Sequence, residues 1–406
     1  MIDGAEDVAA NEAPRPVGGI RVVDASRVLA APFCASILAD LGADVVHLEH
    51  PSANDEVRAW QPIVNGVSAS FLAMNHSKKG LAVDLSRPEG IAILRRLLER
   101  ADVFIENFRP GTMERYGLGF DAIRKFNPRL IYCAVRAFPA GCASEGMPGY
   151  EASTQAYTGV MSLTGEGSGD PVRCGPSVID LGTGLSSVIA ILSALLQRDR
   201  TGQGAYVEPS LIRTATNYLT YQISGYFMAG ALPQRRGSGH EALVPYRVFN
   251  CSDGPIFIAG GNDRLWAVLV GVLGLAGAGG EVPYRLLAER IANRAEVDQL
   301  VSEAVGTWNR AELLAAFRAS GLPAAPVNTI AEYVADPTLF EAHVLEEIEV
   351  PDAGRSVLAG PLFGADFLAP KRTAAPRLGE HTDEILSDIG FSPDDIVRMR
   401  EERLVS

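Results

Sequence analysis

Asp180 is the residue of this chain best placed for covalent chemistry. It ends a short apolar run, Val178-Ile179, and precedes what reads as a Gly-x-Gly turn, Gly182-Thr183-Gly184, and then a long apolar helix. A carboxylate between a strand-like segment and a helix N-terminus is held by backbone N–H groups and kept charged at neutral pH, as a nucleophile requires. A lone Asp before a helix is most often an ordinary cap, so the assignment depends on its surroundings. These are the segment from Gly149 to Gly165, rich in Tyr, Gln, Thr and Gly, and the run from Pro171 to Gly184.

The elements that must position this carboxylate follow from periodicity. Gly19 to Asp24 reads as a strand, Pro32 to Leu41 as a helix with apolar residues at helical spacing, and Asp44 to Glu49 as a second strand. Strand, helix, strand at this length is a βαβ unit with parallel pairing. The pattern continues with strands at Leu81–Leu85, Val103–Phe108 and Leu130–Val135. Ser86-Arg-Pro-Glu89 reads as a capping box opening a helix to Arg100. This predicts an α/β fold: a Rossmann-like, doubly wound parallel sheet, without the GxGxxG turn of dinucleotide sites, because Val28-Leu-Ala-Ala-Pro-Phe stands in its place. Beyond Asp180 the pattern predicts a buried helix to Gln197, too short and too polar for a membrane span, a strand at Ala205–Glu208, and a helix from Ile212 to Met228. The aromatic residues of that helix, Tyr218, Tyr221, Tyr226 and Phe227, read as packing. A Gly/Pro/Arg/Ser loop at 230–239 precedes a hairpin turning at Asp253-Gly254 and helices between 263 and 320, a smaller α+β domain. A further hairpin is expected from Val344, and a last helical segment, 383–402, returns to the large domain. The expected division is 18–229 with 340–406, 240–330, and a loose tail at 1–17.

The 406 residues carry a net charge of −13. An acidic surface repels nucleic acid and anionic membrane, and neither is expected as a partner. The five cysteines form no CxxC pair and the six histidines do not cluster with them. No metal is expected, and a cytoplasmic location fits. The tail, with Asp3, Glu6, Asp7 and Glu12, is no signal peptide.

Ordered segments across nearly the whole chain resemble the class III CoA-transferase family, which includes formyl-CoA transferase, carnitine CoA-transferase and the α-methylacyl-CoA racemases. They are the stretch from Gly19 to Pro32, Leu41-Gly-Ala-Asp-Val, Asn75-His-Ser-Lys-Lys, Asp84-Leu-Ser-Arg-Pro-Glu-Gly, Asp102 to Gly111, the Gly149–Gly165 segment with Asp180, Arg198-Asp-Arg-Thr-Gly-Gln-Gly, and Leu378 to Leu386. The resemblance implies that Asp180 is the nucleophile and forms an aspartyl-CoA thioester, with acyl-CoA and a small carboxylic acid as substrates and no permanently bound cofactor. It implies a homodimer of interlocked rings. It places CoA contacts on His50, Val83, Asp84, Leu85, Asn107, Phe108, Arg109, Arg115, Arg136, Ala137 and Phe138. It also places a glycine-rich lid at Gly237, Ser238, Gly239 and His240. Lys78 and Lys79 are weaker candidates and read as a solvated pair. Formyl-CoA transferase has Gln where this chain has Leu29, which argues against formyl or oxalyl substrates. It has Arg at the position of His50. Racemases place a His in the segment that is Gly149-Tyr150-Glu151 here, so racemisation, which needs two acid/base groups on opposite faces, is disfavoured. Two alternatives remain: a Rossmann oxidoreductase, opposed by the missing glycine turn, and a non-catalytic CoA-binding protein, in which Asp180 would be dispensable.

Overall fold

The computed structural model describes residues 15–52, 55–277, 280–364 and 372–406; most of the expected tail, residues 1–14, lies outside them. Contacts divide the chain into two units. The larger holds residues up to Gln155, Pro176–Tyr218 and Pro337–Ser406, and the smaller holds Ala156–Gly175 with Leu219–Asp336. The chain therefore enters the smaller unit twice, over Ala156–Gly175 and again from Leu219, before the loop at 230–239, until it returns at Pro337.

Six parallel strands form the sheet of the larger unit: β1 (Arg21–Asp24), β2 (Asp44–Glu49), β3 (Lys79–Ala82), β4 (Val103–Glu106), β5 (Ile131–Ala134) and β6 (Tyr206–Val207), in the order β3-β2-β1-β4-β5-β6. That is the doubly wound order, with the chain reversing direction across the sheet between β1 and β4. Val23 of β1 pairs with Val46 on one side and Phe104 on the other. The strands of the sheet's centre are buried on both faces, which is why they read as continuous apolar runs. One face packs a core built from Ile93, Leu94 and Leu98 of helix Pro88–Arg100, together with Ile385, Leu386, Ile396 and Met399 of helices Thr382–Asp388 and Pro393–Glu401. The C-terminal helices thus pack into the core of the larger unit.

Several local expectations change. Ser86 does not cap its helix: Arg87 occupies that position, and Ser86 instead donates its N–H and hydroxyl to Asp84 Oδ1 at 2.8 and 2.6 Å. The nearby Asp84 carboxylate outcompetes the helix end for the serine. Val178-Ile179 is not strand-like. It opens a helix, Val178–Thr201, in which Asp180 is the third residue and Gly182 and Gly184 are interior. Those glycines make no turn. A Cβ on Gly182 would lie 1.8 Å from the Tyr218 hydroxyl, and one on Gly184 would lie 2.7 Å from the Ala30 carbonyl of helix Ala30–Asp40. They are small because two helices approach there. At 24 residues the Val178–Thr201 helix is long and apolar enough to cross a membrane by length and composition, contrary to the sequence reading. Ile179, Val188, Ile191 and Leu195 are buried within the unit.

The smaller unit contains the three-stranded antiparallel sheet of Tyr246–Cys251, Gly254–Ala259 and Ala324–Pro326, with Gly254–Ala259 in the middle. Its core joins Phe249, Ile256 and Ile258 to Trp266, Leu269, Val301, Leu313 and Phe317 of the covering helices. The expected single helix from Ile212 to Met228 is two, Leu211–Tyr218 and Thr220–Ala229, and the unit boundary falls between them. Of its aromatics, Tyr218 packs against helix Val178–Thr201 and donates its hydroxyl to Val178 O at 3.2 Å, whereas Tyr221, Tyr226 and Phe227 are 62%, 50% and 81% exposed.

Candidate active site

Ligands of open α/β sheets sit beyond the carboxyl ends of the strands, where the order reverses. Here those ends are the segments after β1, β4 and β5. Arg27–Ala30, Asn107–Pro110 and Val135–Phe138 line a cavity of 310 Å³ together with Gly146–Tyr150, Asp180 and Leu211. The structure thus gathers Asp180, Asn107, Phe108, Arg109, Arg136, Ala137 and Phe138 in one place. A second cavity, of 130 Å³, is lined by His50, Val83, Leu85, Ser86 and Tyr116 among others, and shares Arg27 and Phe108 with the first. Asp84 and Arg115 line neither. Asp84 ion-pairs with His50 Nε2 at 3.2 Å, and Arg115 donates to Thr112 Oγ1 at 3.2 Å.

Asp180 is 9% exposed. Burial raises its pKa to about 7, with a further push from the Glu151 carboxylate. The sequence reading, that the helix N-terminus keeps this group charged at neutral pH, is therefore corrected: removal of water and a neighbouring negative charge outweigh the helix dipole. Glu151, itself 6% exposed, accepts Gln155 Nε2 at 2.7 Å and the backbone N–H of Ile179 at 3.3 Å. The residue before Asp180 is thereby tied to the Glu151 side chain. Burial, with the Glu151 charge beside the start of helix Val178–Thr201, poises Asp180 between charge states near neutrality.

Arg136 does not present a free cation. Its guanidinium forks onto Glu106, Nη1 to Oε2 at 3.0 Å and Nη2 to Oε1 at 2.5 Å, and Nη1 also reaches the Phe108 carbonyl at 3.1 Å. Burial works against its charge, but the Glu106 hydrogen bonds and charge raise its pKa above the usual value. Glu106, fully buried, also accepts Phe108 N–H at 2.8 Å and Tyr132 Oη at 3.2 Å. Glu106 is a site residue that motif reasoning missed. It fixes the Asn107–Arg109 loop, and its only sequence signal is its place within the Asp102–Gly111 match.

Lys78 is not a solvated cation. It is 3% exposed and donates to Asp24 Oδ2 at 2.9 Å, Pro32 O at 2.9 Å and Asn75 Oδ1 at 2.8 Å. It anchors the start of helix Ala30–Asp40 from beneath. Lys79 is partly exposed and pairs with Asp44 and Glu384.

Where dinucleotide sites carry glycine, Val28 holds φ 73°, a left-handed conformation unfavourable for a β-branched residue. Its N–H donates to Asp55 Oδ2 at 3.0 Å, and Asp55 N–H in turn donates to Glu49 Oε2 at 3.1 Å. This buried chain holds the strained turn that places Leu29 on the cavity wall. The sequence showed no sign of Asp55's role.

Gly237, Ser238, Gly239 and His240 belong to the smaller unit. There Gly237 takes φ 58° and donates its N–H to Gly165 O at 2.9 Å, Ser238 Oγ accepts Val248 N–H at 3.0 Å, and His240 Nδ1 accepts Ala242 N–H at 3.0 Å.

Residues 17–382 match the family described as CoA-transferase family III. A curated relative, the succinate–glutarate CoA-transferase of Agrobacterium fabrum, is 35% identical over 384 residues, covering 92% of this chain and 96% of the relative. The succinyl-CoA:mesaconate CoA-transferase of Haloarcula hispanica is 33% identical, covering 91% of this chain and 96% of its own. Among solved structures, a CaiB/BaiF family protein from Brucella suis superposes with a TM-score of 0.81 at 35% identity, covering 92% of this chain and 99% of that one. The chain belongs to CoA-transferase family III, and its chemistry is transfer of CoA between an acyl-CoA and a carboxylate.

Proposed function

We propose that the chain transfers CoA from an acyl-CoA donor to a small dicarboxylate through an aspartyl-CoA thioester on Asp180. The observation that carries this reading is a buried carboxylate facing the cavity at the strand ends. An Oδ of Asp180 attacks the thioester carbonyl and expels CoA thiolate, leaving a mixed acyl–aspartyl anhydride. The thiolate attacks the aspartyl carbonyl, releasing the donor as its carboxylate and leaving CoA on Asp180. The acceptor carboxylate then displaces the thiolate to form a second anhydride. The thiolate attacks the acceptor's acyl carbonyl, giving the new acyl-CoA and free Asp180. No net proton is consumed, and the thioester energy passes through covalent intermediates. Exclusion of water protects each of them.

CoA occupies the two adjoining cavities, with contacts from His50, Val83, Leu85, Asn107, Phe108, Arg109, Ala137 and Phe138, and from Asp84 and Arg115 at the margin. Arg136 acts through Glu106 to hold the loop in place. Leu29, apolar on the cavity wall, disfavours formyl and oxalyl groups. The dicarboxylate preference is supported by the relatives, named for succinate with glutarate and for succinyl-CoA with mesaconate. The active form is a homodimer, supported by the exposed aromatics of helix Thr220–Ala229; a reducing cytoplasm is its compartment, supported by the free cysteines. A matrix of succinyl-, acetyl- and oxalyl-CoA against glutarate, succinate, mesaconate and formate, read by mass spectrometry of the acyl-CoA products, tests the substrate class. Turnover confined to monocarboxylates would refute it.

A further inference from the structure

The two cavities meet at Arg27 and Phe108, which line both. Arg27 follows β1, and its backbone is clamped from both sides: its N–H donates to Asn107 Oδ1 at 3.0 Å, and Asn107 Nδ2 donates to its carbonyl at 2.8 Å. Its side chain is exposed and makes no hydrogen bond or ion pair to any described residue. A fixed backbone carrying an uncommitted guanidinium is an arrangement suited to an anionic ligand, because arginine matches phosphate oxygens with a planar fork of donors.

We propose that Arg27 binds the pyrophosphate of CoA at the junction of the two cavities. The inference rests on the CoA reading given above. The chemistry at Asp180 fixes the thioester end in the larger cavity. The adenosine end then occupies the smaller cavity beside His50, Val83 and Leu85. The ligand's pyrophosphate lies between those ends, where Arg27 stands. The surrounding field makes a local cation necessary, since the whole chain carries −13; of the arginines lining the larger cavity, Arg136 is neutralised by Glu106 and Arg109 does not reach the second cavity, so Arg27 alone stands at the junction.

The test is calorimetric titration of CoA into wild type, Arg27→Ala and Arg27→Lys at several salt concentrations. It is joined to kcat/KM for a CoA thioester and for the matching pantetheine thioester, which lacks the pyrophosphate. Arg27→Ala should weaken CoA by about 10- to 100-fold, the loss of a charge-assisted hydrogen bond, and should flatten the salt dependence. The preference for the CoA thioester over the pantetheine thioester should fall by the same factor, and lysine should restore part of it. Unchanged CoA affinity in Arg27→Ala would overturn the assignment. So would an equal loss toward the pantetheine thioester, which would place Arg27 at the reacting end. Should the alanine variant melt early, the lysine variant carries the same comparison of the two thioesters. If wild type itself binds no CoA, the functional reading fails; if wild type binds CoA and Arg27→Ala binds it equally, only the role of Arg27 fails.

Discussion

At the scale of residues, the Glu151–Asp180 pair makes the chemistry sensitive to pH. A buried carboxylate with a pKa of about 7 attacks only after losing its proton, so kcat/KM should rise with pH, with its midpoint near 7, and level off above. Glu151→Gln removes the neighbouring negative charge and should move that midpoint to lower pH, measured as kcat/KM against pH with a saturating acceptor. A profile that does not move would show that Glu151 leaves the Asp180 proton alone. The same shift has a cost in stability. The folded pKa lies above the ordinary 3.8, so the folded protein holds a proton that the unfolded chain has released. Stability from this group is therefore full below about pH 4 and falls as pH rises towards 7. Asp180→Asn should flatten that slope in melting temperatures measured across the window. Arg136→Ala acts differently, because it strands the buried Glu106 charge. It should cost about 3–5 kcal/mol of stability, as breaking a buried pair from one side does, seen as an early denaturant midpoint.

At the scale of elements, much of the framework was legible. Alternating strand and helix periods gave the parallel sheet, and the missing glycine turn marked the departure from dinucleotide binding. The misreadings share a physical origin in contacts distant along the chain. Gly182 and Gly184 looked like a turn because a sequence does not reveal that Tyr218 and the Ala30 carbonyl press against that helix. Lys78 looked solvated because its partner, Asp24, lies 54 positions away. Glu106 and Arg136 meet because β4 and β5 pair in register, Glu106 opposite Ala134, which brings the two strand ends side by side. Some signature residues are architectural. In Arg198-Asp-Arg-Thr-Gly-Gln-Gly, Arg198 is buried on Asp102 at 2.8 Å, Gly202 ends the helix at φ 74°, and a Cβ on Gly204 would lie 2.0 Å from the Leu130 carbonyl. Gly184→Ala should destabilise by about 1–3 kcal/mol through overpacking. Gly271→Ala, in helix Asp263–Leu273 with open space around its Cβ position, should gain a few tenths to about 1 kcal/mol. Denaturant melts of the two variants check the contrast, and equal effects would undo the close-approach account.

At the scale of the whole molecule, Tyr221, Tyr226, Phe227 and Met228 stand exposed on one helix, a grouping of large apolar side chains of the kind that marks interaction surfaces. The proposed homodimer predicts a light-scattering mass twice the 43.2 kDa of one chain, and a monomeric mass would count against it. The central claim, that the strained turn and the buried carboxylate of the larger unit serve one covalent exchange at Asp180, has a more direct test. Enzyme incubated with succinyl-CoA and hydroxylamine, digested and read by mass spectrometry, should carry a hydroxamate confined to the peptide containing Asp180. Asp180→Asn should fold, bind CoA, take up no label and lose several powers of ten in turnover. A label on another residue, or an active Asp180→Asn enzyme verified free of deamidation back to Asp, would contradict the account.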